Sequence, residues 1–88
     1  MYTLEVKRPL SSIKVIAVKV DNEVISMIST SDSGITLMTQ YFHDGEELTV
    51  DLDLDDIQGK TDKEIGLMMY NSYLNAVRMR SVYFKRVK

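Results

Sequence analysis

The chain has 88 residues, no cysteine, and 13 acidic against 11 basic side chains, which gives a net charge of −2 at neutral pH. This length suits one domain, and the lack of cysteine excludes disulfides, thiolate metal sites and cysteine nucleophiles. Hydrophobic residues make up 44% of the chain and charged residues 27%, a composition that is typical of globular domains and argues against a disordered chain.

Charge is segregated along the chain. Residues 44–64 hold nine acidic side chains and two lysines, a local net charge of −7, whereas residues 65–88 hold five basic side chains and no acid, a net of +5. Such asymmetry between segments is a hint about binding partners.

The composition also predicts where the protein works. No apolar run approaches the roughly 18 residues of a membrane span, and Glu5 interrupts the apolar N-terminal stretch, which does not resemble a signal peptide. A cysteine-free domain of this size favours the interior of a cell. We therefore expect a cytoplasmic protein, in a style that suits small bacterial or prophage-encoded proteins.

The first half of the chain predicts an antiparallel β-meander of four to five strands. Runs of alternating or β-branched residues indicate strands at residues 3–7, 13–20, 23–29, 35–42 and 48–54. The second strand is apolar on both faces near its middle, which indicates a central position. Asp21-Asn22 and Asp44-Gly45 predict tight hairpins, the second through a type I′ turn, and Gly34 suits a left-handed loop position.

The second half predicts one amphipathic helix at about residues 62–80. Thr61 and Glu64 have the spacing of a capping box, which marks a helix start. At 100° per residue one face carries the apolar residues Ile65, Met69, Tyr73, Ala76 and Val77. We predict an α+β fold in which this helix packs on one face of the sheet. The last residues, 82–88, suit a helix, a strand or a tail.

The apolar arc of this helix is broader than one sheet face can cover. Leu67, Tyr70 and Leu74 lie beyond the core-facing stripe, and Met68 and Met79 lie on its flank. Methionine adapts to irregular binding surfaces, and leftover apolar surface indicates a partner. We expect a homodimer or a complex with another protein, with partner contacts at Met68, Tyr70, Leu74 and Met79.

The acidic run Asp51–Asp56 resembles a calcium loop only superficially. An EF-hand loop counted from Asp51 needs glycine at its sixth position and a bidentate glutamate at its twelfth, and these positions hold Asp56 and Asp62. We expect no bound metal, although a small metal-dependent enzyme that uses these carboxylates remains an alternative. Aspartates on an edge strand also oppose aggregation without any ligand.

No catalytic site or cofactor site is predicted. His43 is the only histidine, and it lies on a predicted turn. Its neighbours in sequence, Asp44 and the serines upstream, do not establish the geometry of a catalytic triad. Gly59-Lys60-Thr61 matches only the end of a phosphate-binding loop, and Thr61 is accounted for as a helix cap.

The basic segment at the C-terminus predicts a second kind of partner. Its cations and aromatic residues have the composition of a surface that binds single-stranded nucleic acid or RNA: Arg78, Arg80, Tyr83, Phe84, Lys85 and Arg86. A pI near 5.3 argues against a dedicated nucleic-acid domain, and the same cations could pair with the acidic segment 51–56. Our leading expectation is therefore a small non-enzymatic interaction, assembly or regulatory domain, with nucleic-acid binding as the alternative.

Overall fold

The computed structural model of the chain describes residues 1–31, 34 and 36–87, with side chains for all of these except Leu54 and residues 81–87. The elements in chain order are β1 (Thr3–Leu10), β2 (Ile13–Val20), β3 (Glu23–Ser31), β4 (Thr36–Tyr41), β5 (Glu47–Leu52), a 3-10 turn (Leu54–Asp56) and helix α1 (Asp62–Val87). The five strands form one antiparallel sheet in the order of the sequence, β1-β2-β3-β4-β5. The predicted α+β meander with one C-terminal helix is confirmed.

Several boundaries differ from the prediction. Strand β1 passes through Pro9 and ends at Leu10, because β1 is an edge strand and its register shifts between Lys7 and Leu10. A proline is tolerated at an edge or a bulge, where its missing N–H breaks no ladder hydrogen bond. Strand β5 ends two residues before the predicted boundary, since residues 54–56 turn away as a 3-10 helix.

The two predicted hairpins form, but their turns differ. Asp21 and Asn22 have φ of 53° and 67°, as a type I′ turn requires. The second hairpin is not type I′: Gly45 N donates to Phe42 O at 3.0 Å, and only Gly45 has positive φ, at 86°. Asp44 Oδ1 also accepts from Glu46 N at 3.1 Å, which stabilises this longer turn with a glycine bulge.

The core lies between the sheet and helix α1. The predicted inner face of the helix is confirmed, since Ile65, Met69 and Tyr73 are 6%, 0% and 7% exposed. They share one hydrophobic cluster with sheet residues such as Val18 and Ile28. Strand β2 is covered on both sides at its centre, where Ile16, Ala17 and Val18 are all buried.

Close contact between the helix and the first strand sets where the helix lies. Gly66 is buried in the second turn of α1, and a Cβ at this position would lie within 3.0 Å of three side-chain carbons of Leu4. Glycine in a helix interior costs about 1 kcal/mol relative to alanine. Here the missing side chain allows α1 to approach β1.

Strand β5 is left largely uncovered. Helix α1 contacts mainly β1, β2 and β3. Leu48, Val50 and Leu52 lie on the helix side of the sheet, opposite Gln40, Met38 and Thr36 of β4. Leu48 and Val50 are still 48% and 36% exposed. Among the described residues, no helix combines the length and apolarity needed to cross a membrane.

Candidate interaction surface

The start of α1 is fixed by the predicted capping box. Glu64 N donates to Thr61 Oγ1 at 3.2 Å, and Thr61 N donates back to Glu64 Oε1 at 3.0 Å. The hydrogen bond from the Thr61 backbone stabilises the charged carboxylate and lowers the pKa of Glu64. The prediction of this cap is confirmed, and Glu64 remains exposed to solvent.

The C-terminal half of α1 is tied to the β4–β5 hairpin through Arg80. Its guanidinium forms ion pairs with Asp44 and with Glu46, the second at 3.1 Å, and lies 4.2 Å from the centre of the Phe42 ring. This combination of two carboxylates and an aromatic face suits the planar guanidinium. Arg80, predicted as a contact for nucleic acid or an acidic partner, is therefore engaged within the chain.

The structure describes the side chains of only part of the predicted basic surface. Helix α1 continues through Val87, which resolves the open question about most of residues 82–88 in favour of a helix. Arg78 lies on this helix and is exposed. The side chains of Tyr83, Phe84, Lys85 and Arg86 lie outside the described part of the structure, so binding of nucleic acid through them stays a prediction.

The sequence left open whether the acidic segment 51–56 pairs with the basic end of the chain, and among the described side chains no such pair forms. Asp51, Asp53 and Asp55 are exposed, and in the described part of the chain they form no ion pair. Among the described side chains, the acids that form an ion pair with a helix cation are Asp44 and Glu46, because the β4–β5 hairpin rather than the acidic segment lies beside Arg80. Across the described residues no group of three acidic or histidine side chains could hold a metal ion.

The four predicted partner residues fall into two pairs. Met68 and Tyr70 are half-buried and pack against the core, and the Tyr70 ring stacks on Tyr2 with centroids 4.5 Å apart. Leu74 and Met79 are 44% and 60% exposed. Only the second pair is largely available to another molecule.

The face of α1 opposite the sheet carries a regular stripe, which we call the outer seam. Its members alternate at three- and four-residue spacing and are all exposed: Glu64, Leu67, Asn71, Leu74 and Arg78. Leu67 and Leu74 are 50% and 44% exposed. Sequence reasoning noted both leucines but omitted Leu67 from the partner residues; the three-four spacing was the signal that identifies the seam.

The outer seam is suited to packing against a second helix. Two leucines seven residues apart have the spacing of one side of a coiled-coil contact, and the seam has an acid at its N-terminal end and a cation at its C-terminal end. Lys63 lies on the flank of the seam opposite Glu64. The two ends of the seam therefore carry opposite charges, negative at Glu64 and positive at Arg78.

Comparison with known proteins does not assign a family or a function to the chain. No protein-family model matches the chain, and searches of curated proteins and of solved structures also find no match. The outer seam is therefore interpreted from its own geometry and charge.

Proposed function

We propose that this protein is a non-enzymatic cytoplasmic interaction domain that forms a homodimer through the outer seam of α1. The observation that carries the proposal is the exposed pair Leu67 and Leu74 on a helix face that the sheet leaves uncovered. The outer seam covers residues 64–78 of this helix, about 21 Å at ~1.5 Å per residue, which is about four helical turns available to a partner.

The charge pattern favours an antiparallel arrangement of two copies. A two-fold axis beside Asn71 brings Leu67 of one protomer against Leu74 of its partner, and repeats the contact on the other side of the axis. The same axis brings Glu64 near Arg78 of the other copy. Lys63 lies on the opposite flank of the seam from Glu64. Opposite charges then meet twice, and the two helix dipoles run in opposite directions.

A parallel arrangement is disfavoured by the same residues. It would place Glu64 beside Glu64 and Arg78 beside Arg78, and like charges in an interface select against that pairing. Asn71, between the two leucines, adds a polar group at the centre of the seam, which in helix pairs fixes the register at some cost in stability. A second copy of the chain is therefore a better match to the seam than an unrelated apolar surface.

The proposed contact between the two outer seams is small, so we expect weak association. One pair of helices buries less than the roughly 1,600 Å² of a standard protein interface. We therefore expect association in the micromolar range and visible dilution to monomers. Sedimentation velocity over a concentration series measures this equilibrium.

The apolar part of the proposal is tested by matched substitutions. Leu67→Gln and Leu74→Gln remove exposed leucines from the seam, whereas Leu48→Gln removes one of similar exposure, 48%, from the uncovered strand β5. We expect both seam variants to sediment as monomers where the wild type is dimeric, and Leu48→Gln to behave like the wild type. Loss of association in Leu48→Gln alone would assign the contact to the edge strand instead.

The charged part is tested by reversal and rescue. Arg78→Glu places an acid opposite Glu64 of the other copy and should weaken dimerisation by about tenfold, since opposed like charges cost roughly 1 kcal/mol or more. Adding Glu64→Gln removes the repulsion, and glutamine preserves the capping box with Thr61. The double variant should therefore recover part of the association; unchanged association in Arg78→Glu contradicts the antiparallel arrangement.

A further inference from the structure

A cavity of about 320 Å³ lies beside the start of α1, at the opposite end of the helix from the Arg80 contacts. It is bounded by the β1–β2 hairpin, by the starts of β2 and α1, and by the segment that follows the 3-10 turn. Four isoleucines of the core line it, and each is at least 92% buried: Ile16, Ile28, Ile57 and Ile65. The floor of the cavity is therefore aliphatic.

Its rim is cationic. Arg8, Lys14 and Lys60 line the cavity together with one acid, Asp62. Lys14 Nζ lies 2.5 Å from Asp62 Oδ1, so these two charges neutralise each other. Lys60 has Glu64 in its electrostatic neighbourhood, but no carboxylate forms an ion pair with it or with Arg8 in the described part of the chain. Two cations without an ion pair thus line a cavity with an aliphatic floor.

Hydroxyl groups complete the rim. Ser12 from the β1–β2 turn and Thr30 from β3 line the same cavity. Each hydroxyl can donate to an anionic oxygen. Small-molecule sites commonly combine an apolar body with a few polar groups at one side, and a volume near 320 Å³ is at the small end of their range of roughly 300–1,000 Å³.

We propose that this cavity binds a small aliphatic carboxylate. The aliphatic body covers the isoleucine walls, and the carboxylate remains at the rim between Arg8 and Lys60. A guanidinium offers two parallel N–H donors to a carboxylate, and an ammonium adds a compact positive charge. The residues involved are distinct from the outer seam, so this binding does not depend on dimerisation.

Binding would also connect three parts of the fold. Arg8 belongs to β1, Lys60 to the segment before α1, and the isoleucines to the core. A ligand that binds only the folded chain raises its stability in proportion to the logarithm of ligand concentration. Sodium octanoate should therefore raise the melting temperature, whereas 1-octanol, which has the same chain without the charge, should raise it less.

The test uses octanoate as the probe and amide chemical shifts of the full chain as the readout. Saturable shifts are expected at Ser12, Ile57 and Lys60, at millimolar octanoate. Arg8→Gln and Lys60→Gln should each weaken binding by about fivefold or more, because each removes a charge-assisted hydrogen bond. Lys63→Gln is the matched control: it removes an exposed lysine near the helix start that does not line the cavity.

Four results decide the matter. Weaker octanoate binding in the two rim variants, with Lys63→Gln unchanged, supports the assignment. Equal affinity for octanoate and 1-octanol overturns it, because the rim cations then contribute nothing. Equal loss in Lys63→Gln also overturns it, since the effect is then general electrostatics. Absence of saturable shifts at the cavity overturns it as well.

Discussion

Replacing Gly66 with alanine should destabilise the fold, although alanine is the better helix former. The new Cβ would lie within 3.0 Å of three carbons of the Leu4 side chain, so that side chain must leave its packed position or β1 and the helix must separate. Overpacking of this kind costs about 1–3 kcal/mol, and the gain in helix propensity offsets about 1 kcal/mol. We expect a net loss of about 1 kcal/mol, which lowers Tm by about 4–8 °C in a domain of this size.

The sign of the effect should reverse when Leu4 is shortened. Leu4→Ala alone removes a partly buried side chain and costs about 1–2 kcal/mol. In that background the three Leu4 carbons nearest to the Cβ at position 66 are absent, and Gly66→Ala should stabilise by about 1 kcal/mol through propensity. The two substitutions then couple by about 2 kcal/mol, a size typical of residues in direct contact.

Urea denaturation followed by circular dichroism measures all four members of this cycle. Asn75→Ala is the control, because Asn75 is exposed on the same helix and alanine there should give only the propensity gain of up to about 0.7 kcal/mol. Stabilisation by Gly66→Ala in the wild-type background would refute the close approach of α1 to β1. An equal effect with and without Leu4 would refute the role of that side chain.

Three further predictions concern charge and capping. Hydrogen bonds from Lys19 and Lys7 lower the pKa of Glu5 from 4.5 to about 2. As pH falls, the Glu5 carboxylate is protonated first in the unfolded chain, so the free energy of unfolding should decrease between about pH 4.5 and 2. Glu5→Gln should flatten this part of a plot of the urea midpoint against pH. Thr61→Ala removes the helix cap and should cost about 1 kcal/mol in thermal melts, whereas an unchanged Tm would show that the capping box contributes nothing. Arg80→Met keeps much of the aliphatic stem but loses both ion pairs. The free energy of unfolding should fall by less than about 1 kcal/mol relative to wild type, and this difference should shrink with added salt. A difference that grows with salt would contradict the ion-pair assignment.

Local chemistry was enough to predict most of the fold. The capping box at Thr61 depends on residues three apart, and the turn at Asp21-Asn22 depends on two adjacent side chains that tolerate positive φ. The apolar centre of β2 identified a strand covered on both sides because each face of a strand is visible in the residue alternation. These features need no information from distant parts of the chain.

The features that sequence reasoning missed depend on tertiary placement. The partner of Arg80 could not be predicted, because the approach of the hairpin that carries Asp44 depends on how far α1 extends past the sheet. The roles of Met68 and Leu67 depend on how the helix is rotated over the sheet, and the contact between Gly66 and Leu4 contributes to that rotation. A helical projection gives their relative angles but not which of them the sheet covers.

A single cysteine placed at the proposed two-fold axis tests self-association through α1. The chain has no native cysteine, so Asn71→Cys and Thr49→Cys each introduce one thiol, the first on the outer seam and the second on β5. A disulfide requires Cα atoms within about 7 Å, which the centre of an antiparallel helix pair can meet. We predict that Asn71→Cys forms a covalent dimer under mild oxidation at concentrations where Thr49→Cys stays monomeric. Cross-linking of Thr49→Cys in preference to Asn71→Cys would contradict the antiparallel helix pair.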